Sequence, residues 1–170
     1  VTVAKTLLIE PMTSEHLAEV LAIERASFDD PWSLGSFRDL LMEPAASWVA
    51  LENAHVVGYL VTIWAADEIH LVNLAVHTDR RRQGIGSELM NLLMEKARTQ
   101  NMRAIFLEVR RKNRAAIEFY HRFGFQFLYE RKDYYGDGED AWIMQCAVAV
   151  QGEAHPEVPP LDTNSLDGSQ

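Results

Sequence analysis

At 170 residues, 48% of them apolar and 24% charged, the chain is long enough for one globular domain with a sizeable core. Its net charge of −9 makes it a poor general clamp for bare nucleic acid, whose binding rests on neutralising phosphates. A single cysteine, Cys146, excludes an internal disulfide or a Cys-rich zinc site, and no apolar run is long enough to span a bilayer.

Thr6 to Glu10 reads as a first strand. The run from Met12 to Phe28 carries Leu17, Val20, Leu21, Ile23 and Phe28 at helical spacing, with Thr13 or Ser14 able to cap it. A loop, DDPWS, leads into a second helix with Ser33 at its N-cap and Pro44 beyond its end. Ser47 to Ala65 reads as a hairpin of two β-rich runs around a polar turn at Glu52 to His55, and Glu68 to Thr78 as another strand. After RRRQGIGSELM, a stripe of Ile85, Leu89, Leu92, Leu93 and Ala97 predicts a helix. AIFLEVR is a nearly continuous apolar run, so a buried strand. KNRAAIEFYHRFGF reads as a short helix ended by Gly124, and two closing strands flank GDGED. The order βααβββαβαβ is mixed α/β. Residues 1–150 form the domain, and the Pro-, Glu- and Ser-rich segment 151–170 is expected to be a disordered acidic tail. With no basic start ahead of an early apolar stretch, no signal peptide is expected, and the default location is cytoplasmic.

The basic corner from Arg80 to Ser87 stands out in an acidic protein. A strand, a glycine turn and a helix start make an anion site, because a helix N-terminus offers unpaired N–H groups and partial positive charge. Gly84 and Gly86 let the backbone approach a phosphate, and Arg81 and Arg82 add charge-assisted contacts. The spacing is not that of a P-loop, and Leu89 stands where a dinucleotide fingerprint has its third glycine. A tight turn with solvated arginines is the plain alternative.

The stretch LAVHTDRRRQGIGSELM resembles the coenzyme A motif of the GCN5-related N-acetyltransferase superfamily, with Arg81, Gly84 and Gly86 at its key positions. LEVRRKNRAAIEFYHRFGF resembles the next motif of that superfamily, and the two together cover a chain that matches from about residue 5 to 149. FDDPWS, NLAV, LEVR, RKDYY and EDAWIM are similar to the RimI type, the ribosomal-protein alanine N-acetyltransferases. The resemblance implies a mixed, mostly antiparallel sheet of about six to seven strands, flanked by four helices and splayed where the cofactor binds. It implies acetyl-CoA as co-substrate, gripped by Leu74, Ala75, Val76, Arg81, Arg82, Gln83, Gly84, Ile85, Gly86, Ser87 and Asn113. It implies a protein substrate with a free N-terminus, and no nucleic acid or membrane partner. Monomer is the default expectation.

The chemistry then asks for a base and an acid. An α-amine ordinarily titrates at about 7.7–8.0 and must lose a proton before it attacks a thioester. Glu108 is the candidate base: it sits inside an apolar run, where desolvation would raise its pKa. On the residues alone it could equally face water or pair with Arg110 or Arg103. Tyr120, on one stripe with Ile117 and Gly124, is the candidate acid for the leaving thiolate, against a plain reading as a core aromatic. Asn113 caps its helix and in the family contacts the coenzyme. Trp32, Tyr134 and Tyr135 are expected on the substrate side, with Asp133, Glu139 and Asp140 adding negative potential there. Cys146 reads as core, which favours direct transfer in a ternary complex over an acetyl-cysteine route. The six histidines show no metal spacing. The same fold could instead serve a lysine or small-molecule amine, or bind acyl-CoA without turnover.

Overall fold

The computed structural model describes residues 6–42 and 47–149. Pro44 and the segment from Gln151 onward lie outside the described residues. The first strand, β1, is Leu8–Pro11, two residues later in its start than the apolar run implied. A 3₁₀ turn over Ser14–His16 opens α1, Leu17–Ser27, and Thr13 N–H donates to His16 Nδ1 at 3.0 Å. Helix α2, Leu34–Met42, starts where Ser33 Oγ accepts the Ser36 N–H at 3.1 Å, which satisfies one of the helix's orphan donors. Strands β2, Ser47–Glu52, and β3, His55–Ala65, form the expected hairpin. Asn53 and Ala54 at its tip both have positive φ, +50° and +64°, the backbone hand that matches the strands' twist.

Strand β4, Glu68–Val76, is followed by α3, Ile85–Thr99; β5, Ala104–Arg110, by α4, Arg114–Arg122. The closing strands are β6, Gln126–Arg131, and β7, Ala141–Ala147. The seven strands lie in the order β1-β2-β3-β4-β5-β7-β6, all antiparallel except β4 with β5. The last strand in sequence slots between β5 and β6.

Alternation along the strands divides the core in two. Trp48, Ala50, Val57 and Leu60 point to one face, where α3 and α4 cover Ile105, Leu107 and Val109. Val49, Leu51, Tyr59 and Val61 point to the other, under α1 and α2 with Val20, Ile23 and Phe37. Gly58 of β3 sits where α3 comes closest: a Cβ there would lie 3.1 Å from Ile85 Cγ2 and 3.2 Å from the Ala75 carbonyl oxygen. The small residue lets the start of α3 settle on the sheet.

The sheet opens at its centre. β4 and β5 pair only from Glu68↔Ala104 to Leu71↔Leu107. At that point the β3–β4 register slips, Val61 pairing with Asn73 and Thr62 with Leu71, so Val72 is an extra residue that bends β4. Beyond it, the β5-facing edge of Val72–Val76 has no strand partner among the described residues. The bulge and the lost pairing together produce the splay.

Candidate active site

The splay opens into a cleft of about 800 Å³. It is lined from β4 by Leu74, Ala75 and Val76, from the loop and α3 by Arg81, Arg82, Gly84, Ile85, Gly86 and Ser87, and from α4 by Asn113, Phe119 and Tyr120. Gly84 is the N-cap of α3 at φ +84°, with no side-chain hydrogen bond to the first turn, so the amides of that turn face the cleft uncapped. Arg82 also has positive φ, +58°, and the two left-handed residues curl the loop into a concavity of the kind that holds anions. The two glycines do different work. Gly84 supplies the backbone conformation, since a Cβ there would meet nothing within 4 Å. A Cβ on Gly86 would lie 3.6 Å from the Phe119 ring and 3.7 Å from Val76 Cγ2, inside the cleft.

The arginines are not equivalent. Arg80 pairs with Glu52, tying the loop to the β2–β3 turn. Arg81 donates through Nε to the Val76 carbonyl at 3.2 Å and through Nη2 to Ser27 Oγ at 3.3 Å, so it braces the loop against β4 and α1. Gln83 turns away from the cleft and donates to the Asp79 carbonyl at 3.3 Å. Arg122, Ser27 and Phe28 line the cleft as well, from the end of α4 and the end of α1, and nothing in the motif spacing points to them. Asn113 caps α4, accepting the Ala116 N–H at 3.2 Å, and lines the cleft at the same time.

These residues suit a long anionic ligand with an amide-bearing arm. Uncapped amides and the Arg82 guanidinium stand at one end, and an unpaired strand edge that can hydrogen-bond an extended chain leads to the centre of the sheet.

Glu108 is the first residue of β5 past its last pair with β4. Leu107 and Val109 point into the α3/α4 core, so Glu108 points to the opposite face. Its Oε2 makes a short hydrogen bond with His70 Nε2 of β4, and the two side chains are 22% and 40% exposed. The arginines that could have paired with Glu108 are engaged elsewhere: Arg103 with Asp67 and Glu68, Arg110 with Asp137 and Glu139. A carboxylate joined to an imidazole at the mouth of the splay has the chemistry to accept a proton. His70 escaped the sequence reading because one polar residue in a strand is unremarkable; only the β4–β5 register brings it to Glu108 across 38 positions.

Tyr120 packs its ring on Phe119 and Phe125 at 5.4 and 5.7 Å and lines the cleft. Burial, with a smaller effect of Tyr135, pushes its phenol well above the ordinary value. It therefore stays protonated and available as a donor. Tyr134 and Tyr135 stack edge to face at 5.1 Å and feel the Glu108 charge, so they stand on the Glu108 side. Their loop is fixed by Arg110, whose guanidinium lies 4.1 Å over the Tyr135 ring and bonds Asp137 and Glu139 at 2.8 and 2.9 Å. Glu139 and Asp140 thus serve the loop: Asp140 pairs with Lys132 at 3.0 Å and accepts the Asp133 N–H. Those bases offset much of the negative potential expected there. Trp32 packs on Phe37 at 5.6 Å, which makes it an anchor of the α1/α2 core. Cys146 is buried, and burial pushes its thiol up.

The tyrosines set a pH limit. Burial, opposed by Arg110 and reinforced by Tyr134, Glu108 and Glu139, pushes Tyr135 up to about 12. Tyr59, Tyr120 and Tyr134 move in the same direction. A phenol raised in the fold contributes stability that is complete below its unfolded value near 10 and is lost as pH rises through the folded value. Denaturant midpoints measured by near-UV circular dichroism are expected to hold steady to about pH 10, then fall towards pH 12.

A model of the acetyltransferase (GNAT) family matches residues 17–125. The ribosomal protein bS18-alanine N-acetyltransferase of Escherichia coli (strain K12) is 31% identical over 145 residues, 84% of this chain and 98% of its own length. The crystal structure of the ribosomal-protein-S18-alanine N-acetyltransferase from Escherichia coli superposes with a TM-score of 0.81 at 31% identity, covering 87% of this chain and 97% of that one. Arabidopsis thaliana NAA60 in complex with acetyl-CoA shares the fold, with a TM-score of 0.75 at 18% identity over 84% of this chain and 99% of that one.

Proposed function

The chain belongs to the acetyltransferase (GNAT) family, and from that premise we propose that it transfers the acetyl group of acetyl-CoA to the N-terminal α-amine of a ribosomal protein that begins with alanine. The observation that carries this reading is the position of Glu108 and His70. They sit at the mouth of the splay, on the face opposite the α3/α4 core, while the cleft opens between β4, α3 and α4. An amine arriving from the α1/α2 side meets the acid–base pair just where the cleft's contents become reachable.

Acetyl-CoA supplies an activated acetyl thioester. The uncapped amides at Ile85, Gly86 and Ser87, with Arg82, hold its diphosphate; the free edge of Leu74–Val76 holds its pantetheine arm; Asn113 and Phe119 close the other wall. Glu108, joined to His70, takes the proton from the α-amine, which then attacks directly in a ternary complex. Tyr120 donates to the departing sulfur. Trp32, Tyr134 and Tyr135 border the amine's approach. Every group named comes from one chain, so a monomer suffices. A ribosomal-protein substrate goes with an enzyme of the cytoplasm.

The test is competition between amines. Purified protein, acetyl-CoA and two peptides are mixed, one starting with free alanine and one α-blocked with internal lysines, and products are mapped by mass spectrometry. Acetyl on the alanine nitrogen is the expected result. Acetyl on lysine alone would assign the site to side-chain amines instead.

A further inference from the structure

Glu24 is a carboxylate inside the protein, 1% exposed, on the last turns of α1. Burying a charge is costly unless it is well hydrogen-bonded, and here every partner comes from a different element. Its Oε1 accepts the Trp32 N–H at 2.9 Å. The Asn73 side-chain amide on β4 donates to both carboxylate oxygens at 3.1 Å. The Tyr59 hydroxyl on β3 donates to Oε2 in a short bond. Its own carbonyl oxygen accepts the Phe28 N–H at 3.0 Å. One residue therefore pins both ends of the segment Phe28–Trp32, which is exposed from Phe28 to Pro31, by its backbone at one end and its side chain at the other. Phe28 lines the coenzyme cleft, and Asn73 follows the bulged Val72 that bends β4 away from β5.

An apolar side chain here would pack without the desolvation cost of a charge, but it would leave the Trp32 N–H, the Asn73 amide and the Tyr59 hydroxyl without this acceptor. The carboxylate achieves something packing does not: it fixes a polar backbone loop to the bent strand at a defined distance. We propose that Glu24 is a positioning residue for the amine substrate, holding the Phe28–Trp32 segment against bulged β4 so that the peptide N-terminus is delivered to Glu108. This rests on the reading of the site as an amine acetyltransferase. The segment borders the side from which the amine arrives, and its anchor at Asn73 is the residue next to Leu74, where the coenzyme arm runs.

The test uses the whole protein and Glu24→Gln, which keeps the volume and one acceptor for Trp32 while removing the charge shared with Asn73 and Tyr59. Steady-state kinetics with an alanine-first peptide are expected to show its KM raised by roughly tenfold, the loss of a charge-assisted hydrogen bond. Acetyl-CoA affinity by calorimetry stays within about twofold, and kcat falls less than kcat/KM. Tyr59→Phe, which removes one donor and keeps the ring on Phe37, shifts peptide KM in the same direction by less, and it decides the matter if Glu24→Gln does not fold. A folded variant with unchanged peptide KM overturns the proposal. Absence of α-amine acetylation by the unsubstituted protein would instead overturn the reading of the site, so the two failures are distinct.

Discussion

Glu108→Gln is expected to lower kcat by about 10²–10⁴-fold, the usual worth of a general base, with acetyl-CoA affinity unchanged. Position is the reason. Glu108 stands at the mouth of the splay but does not line the cleft, so nothing that grips the coenzyme is touched. Glutamine has the same shape and can still meet His70, so the strand pairing survives. What it cannot do is accept the amine's proton. The rate with an alanine-first peptide, followed by release of free thiol, reads the effect; calorimetry reads the binding. Near-normal kcat would remove Glu108 from its role and leave His70 as the acceptor. His70→Gln is the companion variant: a loss of similar size there would mean that the pair acts as a unit.

Tyr120→Phe is the second large effect, a fall in kcat of about 10²-fold or more. The ring contacts with Phe119 and Phe125 are kept, as is the burial on the α3/α4 core, so stability and coenzyme affinity hold. Only the hydroxyl is lost. Because burial holds the phenol protonated far into alkaline pH, its ionisation does not shape the pH–rate profile over the working range. The rate loss in the variant is therefore expected to be the same at about pH 7 and about pH 9. A loss that disappears at one end of that range would show that Tyr120 acts through another titrating group.

The parts of this site that local sequence could reveal are those that local geometry makes. A glycine pair after a strand, opening a helix, marks a tight corner, and the structure places Gly84 at the N-cap of α3 with positive φ and Gly86 in its first turn. Asn113 at a helix start and Gly124 at its end, φ +87°, were equally legible, since capping is a matter of a few residues. The hairpin from Ser47 to Ala65 announced itself by two β-rich runs around a polar turn. Other features depend on register. The His70–Glu108 pair exists only because β4 and β5 run parallel with Glu68 opposite Ala104. The Glu24 cluster joins residues 8, 35 and 49 positions apart in sequence. Glu139 and Asp140 looked like free negative charge because Arg110 and Lys132 meet them only once β5, β6 and β7 are assembled. The splay itself followed from a family resemblance; its physical cause, the extra residue at Val72, carries no mark in the sequence.

All of this depends on the bend at Gly84–Gly86, and the cleft behind it, holding the acetyl donor. Calorimetric titration of acetyl-CoA into the protein and into Gly86→Trp tests it directly, because an indole on that Cβ, which lies between Val76 and Phe119, would obstruct the cleft beside the first-turn amides of α3. One equivalent bound by the unsubstituted protein and none by the folded variant is the predicted result. Equal binding by both, or no binding by either, would contradict it.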